Sequence, residues 1–259
     1  MDKPLIVLSL GFGVQSFTLA AMSALGELPK VDAAIHANTL HEFSGTYDFA
    51  RQWTLWLEEH GIRVITVPPD DGGRLLRCPG VAVAAYSRKQ DKDGILPRQC
   101  TSHWKVAPLR RKARELLGPT WRTTGVAEMW IGISLDEIQR MRQADVRYLV
   151  HRWPLVERRM TRGDCKTWLT AHGLPVPPKS ACVFCPFRSN AEWRDVAQSP
   201  DDWLLATLAD KAIRDALLPG QLFLHSSRQP LEQVDFRSEV EKSGQLSLWQ
   251  DECEGMCGI

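Results

Sequence analysis

The chain opens on a short apolar run, Leu5 to Leu10, that ends in a glycine-bearing turn. Residues 16–28 follow with apolar positions at helical spacing and Gly26 near the end, so the order reads strand, turn, helix. Residues 31–39 have the character of a second strand, 45–61 a second helix closing at Gly61, and 62–68 a third strand stopped by Pro68 and Pro69. Such alternation predicts a parallel sheet with right-handed crossovers. Residues 70–104 mix glycine, proline and charge with little periodicity, which predicts a long loop. Beyond it the pattern gives a basic-faced helix over 106–118, a strand over 129–134, and helices over 190–198 and 200–218. Residues 172–187 are proline-rich and irregular, and the tail from Ser247 carries no clear signal. The expected fold class is α/β, a parallel twisted sheet with helices on both faces plus an irregular cysteine-containing C-terminal region. The expected division is a nucleotide-binding domain over 1–175 and a cysteine-bearing region over 176–259.

Composition narrows the setting. Hydrophobic residues at 44% and charged residues at 24% match a globular domain. No apolar run approaches the roughly 18–20 residues that span a bilayer, and the N-terminal run lacks a leader's cleavage site. The expectation is a cytoplasmic protein without a membrane partner, whose seven cysteines are thiols or ligands and not disulfides. Trp53 and Trp56 lie at helical spacing and read as core, although tryptophans can also stack on bases. The net charge of +1 is unevenly spread. Residues 98–162 hold 14 Lys and Arg against 6 Asp and Glu, whereas residues 191–259 hold 6 against 13. A basic middle segment suits a phosphate-rich ligand or a nucleic acid, and equally a set of solvated helix faces.

The first turn, Ser9 to Ser16, has the make-up of an anion site. Gly11 and Gly13 let backbone N–H groups approach a phosphate, and Ser16 would stand in the first turn of the helix. Two glycines in such a turn are also common for purely structural reasons.

Ser-Leu-Gly-Phe-Gly-Val-Gln-Ser resembles the pyrophosphate loop, SxSGGxDS, of the PP-loop ATP pyrophosphatase superfamily, in particular the branch containing phosphoadenosine phosphosulfate (PAPS) reductases. Gly11 stands for Ser, Phe12 for Gly and Gln15 for Asp, which leaves no acid there to handle magnesium. Three further stretches keep the family's order. "ANTLHE" resembles the adenosine-reading "DTGxE", with Asn38 for Asp and matches at Thr39 and Glu42. "RQCTSHWKVAPLRR" resembles "CCxxRKVxPLxR", with a single Cys100 and a match at Lys105. "WIGISLDEIQRM" resembles "GxRxxESxxR", matching at Gly132, Glu137 and Arg140 with Ser134 for Arg. The segment 152–175 is also similar to the reductase branch and offers Arg158 or Arg159 as anion contacts. The resemblance implies an adenine nucleotide alpha hydrolase-like fold, with Ser9, Gly11, Gly13, Gln15, Ser16, Asn38, Thr39, Glu42, Gly132 and Glu137 around ATP and magnesium. Lys105 and Arg140 would stabilise developing charge.

Cys182 and Cys185, in "ACVFCPF", have the spacing of a metal half-site or a redox pair, or are two thiols close by accident. Relatives in the resembled family hold a 4Fe–4S cluster through a cysteine before "KVxPL" and a late CxxC. That resemblance implies as ligands Cys100, Cys182, Cys185 and one of Cys253 or Cys257, with Cys257 the expected fourth and zinc as the alternative metal. Sulfonucleotide reductases carry a nucleophilic cysteine in a terminal "ECGLH", which Glu252-Cys253 begins to match, so Cys253 and Cys257 are the catalytic thiols expected. Cys78 and Cys165 match nothing and read as inert thiols.

Three functions remain open. In ATP-dependent sulfur transfer a nucleobase, nucleic acid or small molecule is adenylated and then thiolated. In PAPS or adenylylsulfate reduction a cysteine thiolate attacks sulfur and sulfite is released. The third is a zinc-stabilised nucleotide- or nucleic-acid-binding module. The partners implied are an adenine nucleotide, a nucleic acid along 98–162, a sulfur- or electron-donor protein, and a second copy in a homodimer.

Overall fold

The structure, a computed structural model, describes residues 4–77, 80–88, 93–123, 125–216 and 220–237. It divides into two compact units, residues 1–72 with 103–180 and residues 73–102 with 181–259.

The first unit is the α/β fold that the alternation of elements predicts. Strands β1 (Leu5–Ser9), β2 (Ala33–Ala37), β3 (Val64–Val67), β8 (Ala127–Ile131) and β9 (Leu149–Arg152) form one parallel sheet in the order β3-β2-β1-β8-β9. A parallel strand is covered on both faces, which is why Leu5 to Ser9 is nearly all apolar. Ile6 and Leu8 pack on one face with residues of α1 (Val14–Ala24), α2 (Ser44–Glu59), α4 (Pro154–Glu157) and α5 (Arg162–Ala171). Val7 points to the other face, where Leu109 and Ala113 of α3 (Ala107–Leu117) cover it. Trp53 and Trp56 pack beside the first of these clusters, and Trp53 meets Phe17 and Phe49. Helix α5 is fixed by a capping box between Thr161 and Asp164.

The chain runs outward from β1 through β2 to β3, then returns to the other side of β1 as β8 and β9. The crossover direction therefore reverses between β1 and β8, and the crevice beyond their C-terminal ends is the topological switch point where open α/β sheets bind ligands.

The second unit corrects two expectations. Residues 73–102 are not one irregular loop. They hold the β4 (Leu76–Arg77) and β5 (Gly80–Val81) hairpin, followed by β6 (Ala85–Arg88) and β7 (Gly94–Leu96). Nor do they belong with the first domain: β6 pairs antiparallel with β10 (Gln221–Phe223), a long-range ladder that no local periodicity reveals. Helices α6 (Asn190–Gln198) and α7 (Pro200–Arg214) complete this unit. Buried Asp210 accepts the backbone N–H groups of Leu224 (3.0 Å) and Leu231 (3.1 Å) and pairs with Arg214. Among the described residues no helix is long and apolar enough to cross a membrane.

Candidate functional site

The site is built on the turn between β1 and α1. Ser16 closes that turn on itself: its Oγ accepts from Gly11 N–H (3.2 Å) and donates to the Gly13 carbonyl (3.2 Å). Phe12 holds the left-handed backbone, φ 53°, that glycine adopts without strain. The turn keeps its shape because the Phe12 ring is buried edge-on against His36 (5.0 Å between centroids) and Phe49. Gly11 and Gly13 lie open toward Ser180, whose side chain is 3.5–3.7 Å from where their Cβ atoms would stand. Ser180 follows a proline-rich stretch without periodicity, and its place over the turn was not legible in the sequence.

Gly132 lies where β8 ends, directly against the start of α1. A Cβ there would be 2.7 Å from the Ser16 nitrogen and 2.9 Å from its Cα. This close backbone approach brings the loop after β8 to the glycine turn after β1. Gln15, at the second position of α1, is buried and donates to Ser134 (3.3 Å) and Glu137 (3.1 Å). It also accepts from Arg162 (3.2 Å), and Arg140 pairs with Glu137 at 2.7 Å. Arg162, the first residue of α5, is a member of the site that sequence reading did not single out.

The expected adenosine-reading residues gather beyond β2. Thr39 is fully buried and donates to Glu42 Oε1 (3.1 Å), and Lys105 stands 3.6 Å from the same oxygen. Glu42 Oε2 is buried without a hydrogen-bond partner. Asn38 accepts from Leu40 N–H and from the Tyr47 hydroxyl, both at 2.9 Å. A cleft of about 620 Å³ opens here, lined by Phe12, His36, Asn38, Tyr47 and Thr66 among others. His36 Nδ1 bonds the Leu10 carbonyl (3.0 Å), so that nitrogen carries the proton. Burial pushes the His36 imidazole below the usual histidine range, against the opposing pull of the Leu10 carbonyl and Glu42. It enters the cleft as a neutral ring.

Two groups of cations are taken up by structure. Arg158 pairs with Glu27 and donates to its carbonyl, so it ties the end of α4 to the residues that follow α1. In the basic segment, Arg110 pairs with Asp145, Arg111 with Asp70, Lys112 with Glu115, and Arg152 with Glu128 and Glu157. Arg114 and Arg122 both stand over the Trp121 ring, at 5.1 and 5.3 Å.

The cysteines lie in the second unit. Cys182 and Cys185 bracket a tight turn closed by Cys185 N–H to the Cys182 carbonyl (3.0 Å). Arg188 grips the same turn through the carbonyls of Ala181 and Cys182. Cys185 lies near Tyr86, whose phenol is pushed up mainly by burial and further by that sulfur. Cys100 donates its N–H to the Ala82 carbonyl. Among the described residues no three Cys, His, Asp or Glu side chains converge as a metal site, and no disulfide joins the described cysteines. Cys78, Cys253 and Cys257 lie outside the described residues. Cys165 is buried in the first unit's core, and burial pushes its thiol up to about 12.

No protein-family model matches the chain, and no curated protein sequence does. Among solved structures that match is a phosphoadenylyl-sulfate (PAPS) reductase from Candida auris, in a phosphate complex. It shares 16% identity at a TM-score of 0.47, over 70% of this chain and 82% of that one.

Proposed function

We propose that this chain is an adenine-nucleotide enzyme that carries out ATP-dependent sulfur transfer. The observation that carries the reading is the pairing of two turns at the switch point: the open glycine turn after β1, and the Gly132 loop pressed onto the first turn of α1. Helix α1 directs its free N–H groups at that crevice, where an anion is favoured. Adenosine would occupy the cleft beside Phe12 and His36, read by the groups around Asn38 and Thr39, with its phosphates over Gly11, Gly13 and Ser180.

In the reaction a substrate oxygen attacks the α-phosphorus. An oxygen–phosphorus bond forms, the α–β bridge breaks, and pyrophosphate leaves with the electron pair. Backbone N–H groups of the turn and the guanidinium groups of Arg140 and Arg162 would hold the charge that develops. Sulfide from a sulfur donor then attacks the activated carbon: a carbon–sulfur bond forms, the carbon–oxygen bond breaks, and AMP leaves with the electron pair. An iron–sulfur cluster, with Cys100, Cys182, Cys185 and one terminal cysteine as the ligands the resemblance implies, would supply sulfur or electrons, and neither step above depends on one.

Sulfonucleotide reduction is the second reading. It is favoured by the two arginines and the absence of a carboxylate at position 15.

The test is product analysis with ATP and with PAPS. Pyrophosphate released from ATP only when a thiolatable acceptor is present supports the first reading. Sulfite released from PAPS with a dithiol supports the second. Neither product overturns both and leaves a binding module.

A further inference from the structure

Helix α7 has two faces of opposite character. Asp202, Ala206, Ala209, Asp210 and Ile213 are buried, and the helix packs against α6 and β10. On the other face Leu204, Leu205 and Leu208 are 49–56% exposed, with exposed Asp201 before them and exposed Lys211 after them. Positions 201, 204, 205, 208 and 211 fall within about 120° of the helix circumference and have the spacing of a coiled-coil seam. No other α-helix among the described residues exposes more than one large apolar side chain. Clustered exposed leucines of this kind mark a surface that something covers.

The stripe is its own complement. Laid antiparallel about a two-fold axis at position 206, it sets Leu204 against the partner's Leu208 and Asp201 against the partner's Lys211, and each pairing occurs twice. Leu205 falls beside the partner's Thr207. The Thr207 hydroxyl donates to the Trp203 and Leu204 carbonyls, both at 3.0 Å, so covering it orphans no polar group. A parallel pairing would instead set Asp201 on Asp201 and Lys211 on Lys211, and like charges in contact are unfavourable. Among the described residues neither Asp201 nor Lys211 has an ion-pair partner. An acid at the start of a helix and a base at its end also suit the helix dipole, but the dipole gives no reason for three exposed leucines between them.

We propose that the exposed face of α7 is the contact of a homodimer, in which two copies pair antiparallel through Leu204, Leu205 and Leu208 with an Asp201–Lys211 ion pair at each end. The inference stands apart from the nucleotide reading. With 15 residues, α7 is about 22 Å long. One helix pair of that length is a small interface, so the dimer dissociates with a constant on the order of 10 μM.

The experiment is sedimentation velocity of the full chain over a range of concentrations. The expected result is a monomer–dimer equilibrium. Leu208→Glu should weaken it by about a hundredfold or more, because the charge enters the seam twice per dimer. Leu55→Glu, at the exposed leucine of α2, should leave it unchanged. Asp201→Lys should weaken it by several-fold to about tenfold, by setting like charges at both ends. Adding Lys211→Asp to that variant restores opposite signs and should return the dimer toward wild type. A wild-type chain still monomeric at about 100 μM overturns the proposal and leaves the face to another protein or to the chain's own tail. So does a dimer that ignores Leu208→Glu in a variant with native circular dichroism. A dimer lost in Leu208→Glu yet not recovered by the paired charge exchange overturns the antiparallel arrangement.

Discussion

Replacing Gly132 by alanine tests the joint on which the site depends. The added methyl would meet Ser16 N at 2.7 Å, Ser16 Cα at 2.9 Å and the Gln15 carbonyl carbon at 3.1 Å. Ordinary contact for such a carbon begins near 3.4 Å, so an overlap of about 0.7 Å must be relieved. All three atoms are backbone in the first turn of α1, and no side chain can rotate away. Overpacking costs roughly 1–3 kcal/mol when neighbours can adjust, and a rigid helix start places this case near the top, about 3 kcal/mol. For a chain of this size that corresponds to a melting temperature lower by about 6–12 °C. The control is Gly163→Ala in α5, whose Cβ meets only Thr161 Oγ1 at 3.6 Å. Alanine inside a helix should raise stability there by about 0.5–1 kcal/mol. Scanning calorimetry reads both, and titration with ATP reads whether the turn has been displaced. A Gly132→Ala protein as stable as the wild type, binding nucleotide equally well, would refute the close-approach argument.

Further outcomes follow from the same geometry. Phe12→Ala should destabilise by about 3–5 kcal/mol, the cost of losing a buried phenyl ring. A smaller residue at φ 53° returns little of this, because alanine keeps the left-handed penalty. Urea unfolding measures it. Asp210→Ala should cost about 3–5 kcal/mol by orphaning two backbone N–H groups and Arg214, read by the same unfolding curves. Cys165, with its thiol pushed up to about 12, should resist iodoacetamide at pH 8 until denaturant is added, whereas Cys182 and Cys185 are partly exposed and should label in the native protein, as peptide mass spectrometry would show. His36 has a folded-state pKa below its unfolded value, so its contribution is fully present above about pH 6.5 and is lost as pH falls through the lowered folded value. Stability should decline on acidification from neutrality, and His36→Gln should flatten that slope.

What the sequence determined by itself is local. The apolar run Leu5 to Leu10, the glycine turn and the following helical spacing specify strand, turn and helix. Repetition of that unit leads to a parallel sheet, because a strand buried on both faces has to be apolar throughout. The turn's shape was legible for the same reason: Gly11, Gly13 and Ser16 act through backbone geometry within eight residues. Tertiary structure alone decided what depends on approach between distant segments. Residues 73–102 read as loop because their short strands find partners in one another and in β10, so neither period nor length identified them. Gln15 and Ser134 read as two separate departures from a resembled motif, yet across 119 residues they form one hydrogen bond in one buried network. Arg162 lacked any motif, and Ser180 lay in a proline-rich stretch. Each gained a role only when α5 and the residue-180 segment were folded against the first turn of α1. Chain-local physics fixes which backbone can bind an anion, while packing decides which side chains stand beside it and what charge they bring.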